Sequence, residues 1–187
     1  MHNYAPKKIL NSLFVASLMA SCLTVSSLAS ENKTDVQKTG DLFLLLLPAA
    51  AYGNTYLQND VSGRDQFHNG FATTLGTTYL LKYSVDAKRP EDNGEHSFPS
   101  GHAALTFHSA AFIHQRYGLD YAIPAYITAS FVAWSRVDSK QHYTKDVVAG
   151  AAIGAISGFY FTSPHKKTTF MPIVQSDLFG IQITHKW

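Results

Sequence analysis

Residues 99–118 read PSGHAALTFHSAAFIHQRYG, and the fold follows from how this stretch is punctuated. Pro99, Ser100 and Gly101 are turn and helix-opening residues. Ala103, Ala104, Phe107, Ala111 and Ile113 then recur at near-helical spacing, and Gly118 supplies a stop. The spacing predicts a helix over 101–116. Working outward, the segments 41–56, 66–84, 120–135 and 145–162 have the same character, so the expected architecture is an all-α helical bundle. Residues 85–100 (VDAKRPEDNGEHSFPS) carry charge, Pro and Gly, which marks a loop between helices. Beyond Pro164 the period changes. Residues 168–175 and 179–186 are β-prone, with Ile181, Ile183 and Trp187 at alternate positions and Ser176-Asp177 as a turn, so a short C-terminal β-hairpin is expected.

The chain has 187 residues, 45% of them hydrophobic, enough for one compact domain with a core. Its first 29 residues read as an export signal: Lys7 and Lys8, an apolar stretch from Ile9 to Ala20, then small residues leading to Ser27-Leu28-Ala29. The expected division is a signal over 1–29, a flexible polar lead-in over 30–40 and a single domain over 41–187. Removing residues 1–29 takes away two lysines and no acid, which leaves 13 basic against 13 acidic residues. That balance argues against nucleic acid as a partner, since such binding needs clustered Lys and Arg. Cys22, the one cysteine, lies inside the signal, so disulfides and thiol chemistry are excluded from the remainder. Met19-Ala20-Ser21-Cys22 also resembles a lipoprotein box, which makes lipidation at Cys22 the alternative to cleavage. The longest uncharged apolar-rich stretch, Val147 to Phe161, falls short of the roughly 18 to 20 residues of a spanning helix, so a soluble or membrane-apposed protein is expected.

Three motifs occur in order: Lys82-x6-Arg89-Pro90, then Pro99-Ser100-Gly101-His102, then Ser135-Arg136-x5-His142-x3-Asp146. Taken singly each is weak. Together they supply cations, two imidazoles and a carboxylate at loops and helix ends, a set suited to holding a tetrahedral oxyanion and attacking it. Phosphoryl transfer spreads negative charge over the equatorial oxygens, so its catalysis is mainly positioning and electrostatic stabilisation. Arg89 and Arg136 offer planar forks, and Lys82 a point charge. Ser100 and Gly101 open a helix whose free N–H groups and dipole favour an anion. His142 and Asp146, four apart at a helix entry, allow the carboxylate to take the Nδ1 proton and present Nε2 to phosphorus. His102 can protonate the leaving oxygen. His68, His96, His108 and His114 fit no such role and are read as structural. No further ligands stand at metal-site spacing, so neither metal nor cofactor is expected.

These motifs resemble the signature of the type 2 phosphatidic acid phosphatase (PAP2) family, which includes bacterial acid phosphatases and vanadium-dependent haloperoxidases. Every defining position is matched between residues 82 and 146. The resemblance implies a helical bundle of the PAP2/haloperoxidase type with its site at helix ends. It implies Lys82, Arg89, Ser100, Gly101 and Arg136 as phosphate ligands, His102 as general acid, His142 as the nucleophile that forms a phosphohistidine, and Asp146 as its orienting partner. The reaction so implied needs no metal. One departure is the loop between Arg89-Pro90 and Pro99, only eight residues long, which bears on substrate choice.

The expected substrate is a phosphorylated lipid, with peripheral membrane contact in the periplasm; a small soluble phosphoester is the near alternative. Tyr79, Tyr83, Phe98 and Tyr143 could receive an acyl chain, although filling the core is the plainer expectation for them. Halide oxidation on bound vanadate and anion binding without turnover are the other classes weighed. Intact His102, His142 and Asp146 count against mere binding, which requires neither a nucleophile nor an acid.

Overall fold

In the computed structural model, which describes residues 33–92, 94–165, 168–175 and 178–185, five α-helices precede a β-hairpin. They are α1 (Lys33–Leu57), α2 (Val61–Ser84), α3 (Gly101–Tyr117), α4 (Leu119–Asp138) and α5 (Thr144–Phe161). The hairpin pairs β1 (Thr168–Gln175) with β2 (Leu178–His185) antiparallel, Thr168 opposite His185 and Gln175 opposite Leu178. The all-helical expectation is met, with the hairpin as its small C-terminal addition. The expected signal over 1–29, Cys22, the Ser176-Asp177 turn and Trp187 lie outside the described residues.

Side chains and glycines set the helix boundaries. Asp60 caps α2 through Oδ1, which accepts from the Gly63 N–H at 2.9 Å. Ser100 precedes α3, and Gly118, at φ 108°, turns the chain from α3 into α4 with its N–H on the His114 carbonyl. Asp146 Oδ2 accepts from the Tyr143 N–H at 3.0 Å and so closes the first turn of α5.

The expected flexible lead-in over 30–40 is corrected for its described part: residues 33–40 belong to α1. Tertiary contact overrides their polar composition, because Val36 is buried and Arg136 Nη2 donates to the Gln37 carbonyl at 2.7 Å.

α3 is the central helix and packs against each of the other four. Ala103, Ala104, Ala110, Ala111 and Phe112 are all fully buried along it. Phe112 meets Ala51 and Phe67, and full burial of a side chain of this size contributes about 1.5–3 kcal/mol. The approach to α5 is closest. A Cβ at Gly154 would lie 1.9 Å from the Ala104 carbonyl oxygen, and one at Gly150 would lie 2.2 Å from that of Ser100. Only glycine allows these backbones to touch, and the contact fixes the N-termini of α3 and α5 side by side.

At the opposite end, Arg116 of α3 makes a buried two-point contact with Asp60, Nε to Oδ2 at 2.7 Å and Nη2 to Oδ1 at 2.5 Å. Burial opposes the Asp60 charge, but Arg116, the Gly63 amide and Tyr117 outweigh it and bring that carboxyl down to about 2. Removing one partner of such a buried pair costs about 3–5 kcal/mol. Among the described residues no helix is long and apolar enough to cross a membrane.

Candidate active site

The residues singled out by the sequence gather at one end of the bundle. Lys82 is in the last turn of α2, Arg89 in the loop after it, Ser100, Gly101 and His102 at the start of α3, Arg136 near the end of α4, and His142 and Asp146 around the start of α5. A backbone bond from the Ser100 N–H to the Asp146 carbonyl, at 2.9 Å, ties the two helix N-termini together. Helix ends that converge in this way present free amides and partial positive charge to one place.

Lys82 donates to the carbonyls of His96 and Pro99 at 2.8 and 3.0 Å, which clamps the 85–100 loop onto α2. His96 returns the contact, with Nδ1 at 3.1 Å from the Lys82 carbonyl. This histidine, left without a role by the sequence, shapes the loop at a positive φ of 57°. Arg89 Nη1 donates to Gln141 Oε1 at 2.8 Å, and Lys140 pairs with Glu91. The short loop is thus strapped to the α4–α5 connection.

His142 and Asp146 are both buried. Their direct separation, Nδ1 to Oδ2, is 3.8 Å, within ion-pair range but too long for a hydrogen bond. Ser97 is interposed: its hydroxyl donates to Asp146 Oδ2 at 2.5 Å and lies 3.4 Å from His142 Nδ1. With Nδ1 on that side, Nε2 is the nitrogen left to face a ligand. Burial, then Lys82 and Arg89, lower the His142 pKa to about 4, so the imidazole is neutral at physiological pH.

His102 is shifted in the same direction. Burial and the Arg136 and Arg89 charges pull its pKa below the usual value, while an acid absent from the three motifs opposes them. This is Asp41 of α1, whose Oδ1 sits 2.8 Å from His102 Nε2 and accepts from Arg136 Nη1 at 2.7 Å. Arg136 also donates through Nε to Ser135 Oγ at 3.1 Å. Asp41 and Ser97 are the site residues that sequence reasoning missed. Asp41 opens the segment 41–56 that the sequence marked as helical, but it belongs to none of the three motifs and nothing in its spacing points to His102. Ser97, three residues before Ser100, had only its place in the loop as a signal.

Tyr79, Tyr83 and Tyr143 do not fill the core, and this corrects the plainer expectation for them. They are 50%, 70% and 45% exposed, on the same end of the molecule as Lys82 and His142. Phe98 is half-buried.

The PAP2 superfamily family model matches residues 64–169, more than half of the chain and all three motifs. The chain belongs to the PAP2 superfamily. It is 29% identical over 198 residues to the lipid A 4'-phosphatase of Helicobacter pylori, an alignment that covers 96% of this chain and 100% of that protein. It is 37% identical over 92 residues to the lipid A 1-phosphatase of Porphyromonas gingivalis, covering 48% of this chain and 21% of that protein's length. In fold it is similar to the crystal structure of Aquifex aeolicus LpxE, with a TM-score of 0.61 and 18% identity over 69% of this chain and 84% of that one. The PAP2 membership read from the three motifs is therefore established, and the helical architecture agrees with it.

Proposed function

We propose that the protein is a metal-independent phosphatase that hydrolyses a phosphate mono- or diphosphate ester of a lipid through a phosphohistidine on His142. The observation that carries this reading is the pairing of two imidazoles at adjoining helix N-termini, each set beside its own carboxylate. His142 is neutral, with Nδ1 turned to Ser97 and Asp146; His102 lies beside a carboxylate, and Arg89 influences both.

In this mechanism Arg89, Arg136, Lys82 and the Ser100–Gly101 amides hold the phosphoryl oxygens. His142 Nε2 attacks phosphorus, and the bond to the leaving oxygen breaks as His102 gives that oxygen its proton. Water then attacks the phosphohistidine, His102 takes the proton back, and inorganic phosphate leaves with His142 regenerated. Asp146 stabilises the positive charge that develops on His142 during attack, with Ser97 holding the carboxylate in place. General acid catalysis of this kind contributes about 10² to 10⁴ in rate.

A lipid substrate is supported by two separate facts. The two curated relatives are named lipid A phosphatases, one for the 1-phosphate and one for the 4'-phosphate. Tyr79, Tyr83 and Tyr143 are exposed and adjoin Lys82 and His142 in the chain, which supplies apolar surface near the site suited to acyl chains. An export signal over residues 1–29 and a periplasmic location with peripheral membrane contact complete the proposal.

The test is phosphate release by the full chain in detergent from lipid A, phosphatidic acid, a polyprenyl diphosphate and p-nitrophenyl phosphate. Preference for a lipid, with the released lipid A species identifying the 1- or 4'-position, is the expected result. Equal or better turnover of p-nitrophenyl phosphate alone would move the protein to the soluble acid phosphatases.

A further inference from the structure

We propose that Asp41 is a positioning residue for proton transfer: its carboxylate holds His102 through Nε2 and leaves Nδ1 as the atom that gives a proton to the leaving oxygen. The inference rests on the reading of His102 as general acid given above and extends it to a residue outside the family motifs.

The geometry is specific. One carboxylate oxygen, Asp41 Oδ1, is shared between His102 Nε2 at 2.8 Å and Arg136 Nη1 at 2.7 Å. Asp41 is 49% exposed, so without these two contacts its side chain would have little to fix it. α1 is built to bring it there. Gln37, one turn earlier on the same face, offers its carbonyl to Arg136 Nη2. Gly40 lies so close to α4 that a Cβ would stand 2.2 Å from Ser135 Oγ and 2.4 Å from Arg136 Nη2. Gln37, Gly40 and Asp41 thus dock α1 against the end of α4 and leave the carboxylate at the Nε2 edge of the His102 ring.

The chemistry needs such a group. Arg136 from α4 and Arg89 from the loop face His102 and drive off its proton, whereas Asp41 from α1 is the negative charge that opposes them. In the protonated ring Asp41 accepts Nε2–H while Nδ1–H is transferred to the leaving alkoxide. The neutral ring keeps its Nε2 proton, and its bare Nδ1 then removes one from the attacking water. No proton passes to Asp41, and the cycle returns His102 to its starting charge.

The experiment compares wild type, Asp41→Asn and Asp41→Ala, each first shown by its melting temperature to be folded. Two substrates are used: a lipid phosphate with an alkoxide leaving group, and p-nitrophenyl phosphate, whose leaving group departs with little help from a proton. Both variants are expected to lose about 10- to 100-fold in kcat/KM, which reports formation of the phosphohistidine, on the lipid phosphate and much less on p-nitrophenyl phosphate. The alkaline limb of kcat/KM should move to lower pH by about one unit or more. Equal losses on both substrates with an unmoved limb would overturn the inference. So would a gain in activity with tighter vanadate binding, because Asp41 would then be a plug occupying the phosphate position. If wild type itself releases no phosphate, the phosphatase reading fails first, and this inference with it.

Discussion

Ser97 donates its hydroxyl to Asp146 Oδ2 over 2.5 Å, and this bond anchors the carboxylate that faces His142. Asp146 Oδ1 is buried with no partner among the described residues, so Oδ2, held by Ser97 and the Tyr143 N–H, carries the fixation. A hydrogen bond to a charged group contributes about 1.5–3 kcal/mol. Ser97→Ala is therefore expected to lower kcat by about 10- to 100-fold, a fall of that size in free energy, with KM little changed. Steady-state kinetics on one lipid phosphate decide it; a rise in KM at constant kcat would assign Ser97 to substrate binding instead.

The two imidazoles predict an acid optimum. The nucleophile works when unprotonated, so activity falls as pH drops through the His142 pKa of about 4. The acid works when protonated, so activity falls as pH rises through the His102 pKa, which burial and Arg136 hold below its usual value. The kcat/KM profile of wild type should be a bell between these limits. A maximum on the alkaline side would contradict this assignment of roles.

Stability should also weaken in acid, and His108 accounts for part of it. Its ring is fully buried among Phe67 and Phe71, and burial lowers its pKa to about 4. A histidine depressed in the folded state contributes fully above its unfolded pKa and loses that contribution as pH falls toward the folded value. The share of His108 is on the order of 3 kcal/mol at most. His108→Leu, which cannot titrate, should lose less stability than wild type between neutral pH and about pH 4, as read by denaturant midpoints. Identical losses would show that His108 takes no part.

Gly154→Ala is expected to cost about 1–3 kcal/mol or more, because its Cβ meets the backbone oxygen of Ala104 and neither helix can yield locally. Activity should fall with stability, since α3 and α5 carry His102, His142 and Asp146. Gly76→Ala is the matched control: nothing lies within 4 Å of its added Cβ. That variant should gain about 0.5–1 kcal/mol from helix propensity. Equal melting temperatures for the two variants would refute the close-contact account of the α3–α5 pair.

The bundle and most of the candidate site were legible in the sequence because the motifs bind adjacent chemistry to local structure. Pro99-Ser100-Gly101 opens α3 as well as offering amides, and Asp146 closes the first turn of α5 as well as facing His142. Asp41 lay inside the predicted helix 41–56, but its role could not be read, because only the tertiary docking of α1 through Gln37 and Gly40 brings it to His102 and Arg136. Tyr79, Tyr83 and Tyr143 misled for a related reason. Aromatic residues beside helices suit a core, and only the packing reveals that they face outward.

The most direct measurement of the central claim is inorganic phosphate released from lipid A by wild type beside His142→Ala, with EDTA present throughout. The account predicts steady release by wild type, unaffected by the chelator, and loss of turnover in the folded variant. Release that EDTA abolishes, or that survives in His142→Ala, would contradict it.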